Sequence, residues 1–138
     1  MATQAQEITL HRIILASPPQ VYAAFTTAEG WCAWCCEKAE SEVTVGGKLH
    51  IYTEGYNAYG EFTELEQDKI VAFTWNGDGE PPMRVHVLLL GQDSGTYVSF
   101  KVTVFGAEDW QTFSAFLETT WGRALINLKD VLEAKPEI

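Results

Sequence analysis

Residues 109–132 read DWQTFSAFLETTWGRALINLKDVL, and this stretch decides the fold. Apolar side chains recur in it at steps of three and four, which is typical of a helix with one buried face. They are Trp110, Phe113, Leu117, Trp121, Ala124, Leu125, Leu128 and Val131 or Leu132. Asp109 is the candidate N-cap, and Pro136 is expected to mark the end of the helix. We therefore predict a long amphipathic helix that needs an apolar surface to cover.

Upstream of this helix the apolar residues alternate with polar ones, which indicates strands. Six strands are predicted, at Ser41–Val45, Lys48–Glu54, Tyr59–Glu66, Lys69–Trp75, Met83–Leu90 and Thr96–Phe105. Alternate residues of a strand lie on the same face of the sheet, and we call this assignment by odd or even number parity. The apolar face, which we call the dry face, consists by parity of Leu49, Ile51, Val71, Phe73, Trp75, Val85, Val87, Leu89, Val98, Phe100, Val102 and Val104. A sheet with one dry face and one wet face is expected to be antiparallel.

The start of the chain adds one strand and two short helices. The strand is predicted at Glu7–Leu15, and Ser17 then caps a helix that has prolines in its first turn. A second short helix carries Trp31 to Cys35. The order of these elements predicts an α+β fold in a single domain, residues 1–138, in which a curved antiparallel sheet wraps the final helix.

Charge and composition argue against several classes of partner. Nine Lys and Arg face nineteen Asp and Glu, for a net charge of −10. Nucleic acids and anionic lipids both require clustered cations, so neither is an expected partner. Met1–Glu7 lacks the features of a secretory signal, and the longest apolar run, Val85–Leu90, is too short to cross a bilayer. The three cysteines are odd in number and close together in the sequence, which favours a protein of the reducing cytoplasm over a secreted protein held together by disulfides.

Several segments resemble one known family when they are taken in order. They are residues 17–25 (SPPQVYAAF), Gly30–Trp34, Gly46-Gly47-Lys48, Gly60-Glu61-Phe62, Phe73-Thr74-Trp75 and residues 120–129. Together they resemble the START-like (SRPBCC) superfamily, and within it the family named after the activator of the 90-kDa heat-shock-protein ATPase. The likeness covers nearly the whole chain.

This resemblance implies a helix-grip fold with a cavity between the sheet and the last helix. Relatives use that cavity for lipids, hormones, aromatic polyketides or unidentified small ligands, so the fold does not imply one activity. Relatives often carry paired tryptophans near the position of Trp34, whereas Cys35 and Cys36 follow it here. A cysteine-lined mouth of the cavity is the alternative.

The aromatic residues of the dry face supply the predicted ligand site. Trp75 lies on the sheet and Trp121 on the covering helix, so both are expected to border the cavity. The predicted lining is Trp34, Trp75, Phe100, Phe113, Leu117 and Trp121. We expect a small apolar or aromatic ligand, and no cofactor is implied.

Metal binding and catalysis have weaker support. The spacing of Cys32, Cys35 and Cys36 gives at most three of the four ligands of a structural zinc site, and no metal site is assigned. Glu61, Glu64 and Glu66 are expected on a solvated edge or outer face, and no catalytic residue is assigned.

Two alternatives to the binding function stay open at this point. The first is an enzyme of the cyclase or hydrolase type that acts in the same cavity, with His11 as the candidate because the parity of the first strand is ambiguous. The second is a chaperone-interacting protein resembling the ATPase activators. A homodimer is compatible with either function, and no sequence pattern supports it.

Overall fold

Seven strands and three helices make up the part of the chain that the computed structural model describes, residues 5–134. The elements are β1 (Ala5–Ile14), α1 (Pro18–Thr26), α2 (Ala28–Trp34), β2 (Lys38–Ser41), β3 (Lys48–Thr53), β4 (Tyr56–Glu66), β5 (Ile70–Gly77), β6 (Met83–Gln92), β7 (Gly95–Phe105) and α3 (Trp110–Glu133). The strands pair antiparallel in the order β1-β7-β6-β5-β4-β3-β2. The predicted architecture, a curved antiparallel sheet with a long C-terminal helix and two short helices after the first strand, is confirmed.

Burial alternates along the strands as the parity argument predicts. All twelve residues assigned to the dry face are at most 4% exposed. In β1, where parity was ambiguous, the partly buried positions are Gln6, Ile8, Leu10 and Arg12, which leaves His11 on the exposed side. The sheet therefore offers one continuous apolar face to the helices.

Helix α3 covers this face with the predicted stripe. Asp109 caps the helix by accepting a hydrogen bond from the backbone N of Thr112 at 3.2 Å. Leu117, Trp121, Gly122, Leu125 and Leu128 are its buried residues. At the other end, Glu133 Oε2 accepts from the backbone N of Leu15 at 2.8 Å, which fastens the helix to the end of β1. The helix ends at Glu133, and Pro136 lies outside the described residues.

Two predicted strands have boundaries that differ from the structure by three residues or more, whereas the other strand boundaries agree within two residues. The segment Ser41–Val45 is not a strand, because β2 is Lys38–Ser41 and pairs with β3 from Lys38↔Tyr52 to Ser41↔Leu49. Residues 42–47 fold back instead, and a Cβ on Gly47 would lie 2.1 Å from the carbonyl oxygen of Glu42. Strand β4 begins at Tyr56 rather than Tyr59, because Gly55, with a φ of 75°, makes a tight β3–β4 turn. This second correction brings Tyr56 into the sheet.

The two short helices pack closely against each other. Ser17 caps α1, and its backbone N donates to Gln20 Oε1 at 3.0 Å. Thr27 caps α2 by accepting from the backbone N of Gly30 at 2.9 Å. A Cβ on Gly30 would lie 2.1 Å from the carbonyl oxygen of Ala23, so glycine is needed for this contact. The close contact fixes the position of Trp31 and Trp34 over the sheet.

Gly122, in the interior of α3, is not required by a close backbone neighbour. The nearest atom to a Cβ placed there is Nη2 of Arg12, at 3.6 Å, which is an ordinary van der Waals distance. Arg12 on β1, rather than another backbone segment, therefore occupies the space beside this glycine.

Candidate functional site

Five aromatic rings form a closed circuit in the core between the sheet and the helices. Ring centroids lie 6.0 Å apart for Phe25 and Trp31, 6.1 Å for Trp31 and Trp75, and 5.1 Å for Trp75 and Trp121. Phe100 closes the circuit, at 5.0 Å from Trp121 and 6.1 Å from Phe25. Offset and edge-to-face pairs at these distances are stabilising. The circuit fills the middle of the interface, and the pocket at this interface lies to one side of it.

A pocket of about 300 Å³, which we call the inner pocket, adjoins the circuit at Trp75 and Trp121. It lies between α3 and the strands β3, β4 and β5. Its lining is Cys35, Ile51, Thr53, Tyr56, Trp75, Glu80, Phe116, Leu117, Thr120, Trp121 and Ala124. Most of these side chains are apolar or aromatic, as in sites that bind small organic molecules.

Tyr56 and Glu80 form a polar corner in the wall of the inner pocket. The indole Nε1 of Trp75 donates to the Tyr56 hydroxyl at 3.0 Å, and that hydroxyl donates to Glu80 Oε1 at 2.5 Å. Gly77 makes this arrangement possible, since a Cβ there would lie 2.0 Å from the Tyr56 hydroxyl and 2.2 Å from Glu80 Oε1. The absence of a side chain at Gly77 therefore leaves the room that this hydrogen-bonded pair occupies.

Burial changes the acidity of both groups in this corner. It raises the pKa of Glu80 above its usual value, with a further increase from the nearby charge of Asp78 and an opposing effect of the hydrogen bond from Tyr56. The pKa of Tyr56 is also raised, first by burial and then by its bond to the Glu80 carboxylate. The tyrosine therefore stays protonated and keeps donating to Glu80.

A larger and more open space of about 850 Å³, which we call the outer groove, borders the inner pocket. Its lining is Tyr56, Asp78, Gly79, Glu80, Pro81, Gly106, Ala107, Glu108, Asp109, Thr112, Phe113 and Phe116. Tyr56, Glu80 and Phe116 line both spaces, so the two are contiguous. Four carboxylates line the outer groove, which gives the approach to the inner pocket a negative potential.

The cysteines contribute one side chain to the inner pocket. Cys35 lines it, and burial raises the pKa of its thiol to about 12. The thiol is therefore protonated and a poor nucleophile. The Sγ atoms of Cys32 and Cys36 lie 3.8 Å apart, and both thiols are free. Within residues 5–134, no group of three His, Cys, Asp or Glu side chains is arranged to hold a metal ion.

The six residues predicted to bind a ligand fall into four locations. Trp75, Leu117 and Trp121 line the inner pocket, and Phe113 lines the outer groove. Phe100 is fully buried in the aromatic circuit. Trp34 stacks on Trp31 with a centroid separation of 5.3 Å and donates to the carbonyl oxygen of Ala24 at 2.9 Å, so it packs between the two short helices. Contact with a ligand remains a prediction for all six.

The other candidates for chemistry lie away from the inner pocket. His11 is exposed on β1 and stacks on Tyr97 at 5.6 Å, so it does not supply the inward ionisable group that the enzyme alternative requires. Glu61 pairs with Lys48, while Glu64 and Glu66 are exposed, as expected of a solvated face.

The lining predicted from the sequence leaves out Tyr56 and Glu80. Tyr56 shares parity with the buried residues Ala58 and Phe62, a signal hidden by starting the strand at Tyr59. Glu80 precedes two prolines in what reads as an ordinary hairpin loop, and no local pattern marks it as part of a pocket. Its position depends on the hydrogen bond with Tyr56, which lies 24 residues away in the sequence.

Comparison with known proteins identifies the family. The family described as activator of Hsp90 ATPase homolog 1-like protein matches residues 15–133, most of the chain. The chain belongs to this family. Among curated members, the mouse protein named activator of 90 kDa heat shock protein ATPase homolog 1 is 41% identical over 69 residues. That match covers 50% of this chain but only 20% of the mouse protein, and the human protein gives the same coverage at 39% identity.

Solved structures share the fold over nearly the full length. The solution structure of the Aha1 dimer from Colwellia psychrerythraea is 26% identical, has a TM-score of 0.81, and covers 93% of this chain and 96% of its own. A crystal structure of a protein from Mesorhizobium loti has a TM-score of 0.84 at 18% identity, with 96% and 100% covered. The START-like fold of this activator-homolog family member is thus shown. In the described residues, no helix is long and apolar enough to cross a membrane.

Proposed function

We propose that this chain binds a small, mainly apolar or aromatic molecule in the inner pocket. The observation that carries the proposal is a pocket of about 300 Å³ bordered by two indoles and closed on one side by a hydrogen-bonded tyrosine and glutamate. Apolar walls supply affinity, and a few fixed polar groups supply orientation. The three lining residues that could be predicted from the sequence, Trp75, Leu117 and Trp121, would contact the apolar body.

The geometry around Ala124 provides a direct test. This residue lines the inner pocket from α3, so a leucine there would occupy part of the cavity. We expect Ala124→Leu to weaken binding of N-phenyl-1-naphthylamine, a neutral probe whose fluorescence rises in apolar surroundings, by about tenfold or more. A fluorescence titration of purified protein measures this effect.

Ala115→Leu is the matched control. Ala115 lies on the same helix, is exposed, and does not line the inner pocket. We expect the probe affinity of this variant to equal that of the parent protein within about twofold, and urea unfolding should show both variants folded. Equal affinity in all three proteins, or no binding by the parent, would contradict the proposal.

A second candidate function is acid–base catalysis in the same pocket. The raised pKa of Glu80, caused mainly by burial, is what a carboxyl group needs in order to act as a general acid. In this function Glu80 replaces His11 as the inward ionisable group. Turnover of a bound compound that is lost in Glu80→Gln while binding is retained would distinguish this function from binding alone.

We also propose that two copies of the chain form a homodimer, by analogy with the dimeric Aha1 of Colwellia. Ile13, Tyr97 and Leu90 lie in register across β1, β7 and β6 on the outer face of the sheet, and Ile13 and Leu90 are half-exposed. We expect light scattering to give the mass of two chains, and Ile13→Lys with Leu90→Lys to give one. A single-chain mass for the parent protein at high concentration would contradict this.

A further inference from the structure

We infer that the ligand of the inner pocket carries a cationic, ammonium-type head group on an apolar or aromatic body. This inference rests on the proposed function and deepens it by assigning the charge of the ligand. The ammonium group would lie at Glu80, where the inner pocket meets the outer groove, and the apolar body would lie against Trp75 and Trp121.

The charge of the lining residues favours a cation over an anion. Among the described residues that line the two spaces there is no Lys, Arg or His, whereas Asp78, Glu80, Glu108 and Asp109 are all acidic. An anionic ligand, such as a fatty acid, would enter against this charge with no basic group to pair with it. The net charge of −10 acts in the same direction over a longer range.

The hydrogen bonds of the polar corner leave an acceptor for the ligand. The Tyr56 hydroxyl already receives a hydrogen bond from Trp75 and gives its only proton to Glu80 Oε1. A carboxylate can accept about four hydrogen bonds, and Tyr56 supplies one of them. Glu80 therefore keeps acceptor capacity at the edge of the inner pocket, which suits a donor such as an ammonium group.

Aromatic faces near Glu80 add a second attraction for a cation. Tyr56, Trp75, Trp121 and Phe116 line the inner pocket together with this carboxylate. The faces of aromatic rings attract cations electrostatically, and most strongly when water is excluded. A site that combines a carboxylate with several aromatic rings binds ammonium groups in preference to neutral or anionic groups.

The test uses three probes with the same ring system and different head groups: 2-(2-naphthyl)ethylamine, 2-(2-naphthyl)ethanol and 2-naphthylacetate. Calorimetric titration at neutral pH should rank the amine first, about tenfold or more above the alcohol, with the acetate weakest. Glu80→Gln keeps the shape of the side chain and an acceptor for Tyr56. This variant should lose about tenfold in affinity for the amine and stay within about twofold for the alcohol.

Glu118→Gln is the matched control, because it removes one negative charge from an exposed position on α3 that lines neither space. It should leave the ranking of the probes unchanged. If the amine and the alcohol bind equally, or if Glu80→Gln affects both equally, the cationic head group is wrong while the proposed function stands. If no probe binds and Ala124→Leu changes nothing, the proposed function itself fails.

The pH dependence of amine binding gives an independent measurement. The titratable groups that line the two spaces around Glu80 are Tyr56 of β4, Cys35 after α2, Asp78 of the same loop, and Glu108 and Asp109 before α3. An ammonium group at Glu80 would lower the raised pKa of this carboxyl, so amine affinity should increase as the pH rises through the pKa of Glu80, which lies above its usual value. Glu80→Gln should reduce that increase, and an unchanged pH profile would place the ammonium group elsewhere.

Discussion

Replacing Trp31 with alanine is expected to lower the free energy of unfolding by about 3–5 kcal/mol, a large share of the stability of a domain this size. Its side chain is fully buried in α2. It contacts the rings of Phe25, Trp34, Phe73 and Trp75 at centroid distances of 5.3–6.1 Å. Alanine would leave a cavity at the centre of these contacts. Urea unfolding measures the change.

Two phenylalanine variants separate packing from hydrogen bonding at this position. The Nε1 of Trp31 is buried and has no hydrogen-bond partner in the described part of the chain, whereas the Nε1 of Trp34 donates to Ala24. Trp31→Phe removes an unpaired polar group, so we expect it to cost less than Trp34→Phe, by about 1 kcal/mol or more. Equal costs, or a loss below about 1 kcal/mol for Trp31→Ala, would contradict the packing described above.

Trp121→Ala is the second large change, with an expected loss of about 3–5 kcal/mol in the free energy of unfolding. Trp121 is 5% exposed and lies between Trp75 and Phe100. Because it also lines the inner pocket, its removal would extend that pocket into the space between these two rings. Apolar cavities of this kind bind small aromatic molecules. Indole, which matches the deleted side chain, should therefore restore part of the stability, by about 2.7 kcal/mol at a concentration of a hundred times its Kd.

Trp110→Ala is the control for this rescue. Trp110 is only partly buried at the start of α3 and lines neither the inner pocket nor the outer groove. Indole should shift the thermal midpoint of Trp110→Ala no more than it shifts that of the parent protein. Failure of indole to raise the midpoint of Trp121→Ala above that of Trp110→Ala would show that no cavity forms beside the pocket.

Hydrophobic periodicity carries most of the information on the fold. The alternation in residues 48–105 and the stripe in residues 109–132 are strong because one whole face of each element is buried, as the low exposure of Val87, Phe100 and Leu125 illustrates. The failures occur where turns decide the structure. Periodicity cannot show that residues 42–47 fold back, or that Gly55 allows β4 to start at Tyr56.

The candidate site could be predicted only for side chains whose burial follows from their own element. Trp75, Leu117 and Trp121 are of this kind. Trp34 and Phe100 have the same pattern, but other rings already fill the space around them, and sequence alone cannot show which apolar residues meet each other and which meet a cavity. Glu80 is brought to the pocket by a loop, and its role depends on Tyr56 and on the absence of a side chain at Gly77.

The most direct test of ligand binding in the inner pocket is a crystal of the protein soaked with 6-bromo-2-naphthol, with data collected at the bromine absorption edge. Bromine scatters anomalously, so its position is read without assuming where the ring lies. We predict an anomalous peak enclosed by Trp75, Leu117 and Trp121. A second, surface groove lies between α1, α2 and the end of α3 and is lined by Trp34 and Val131. A peak in that groove, with none in the inner pocket, would contradict ligand binding at the proposed site.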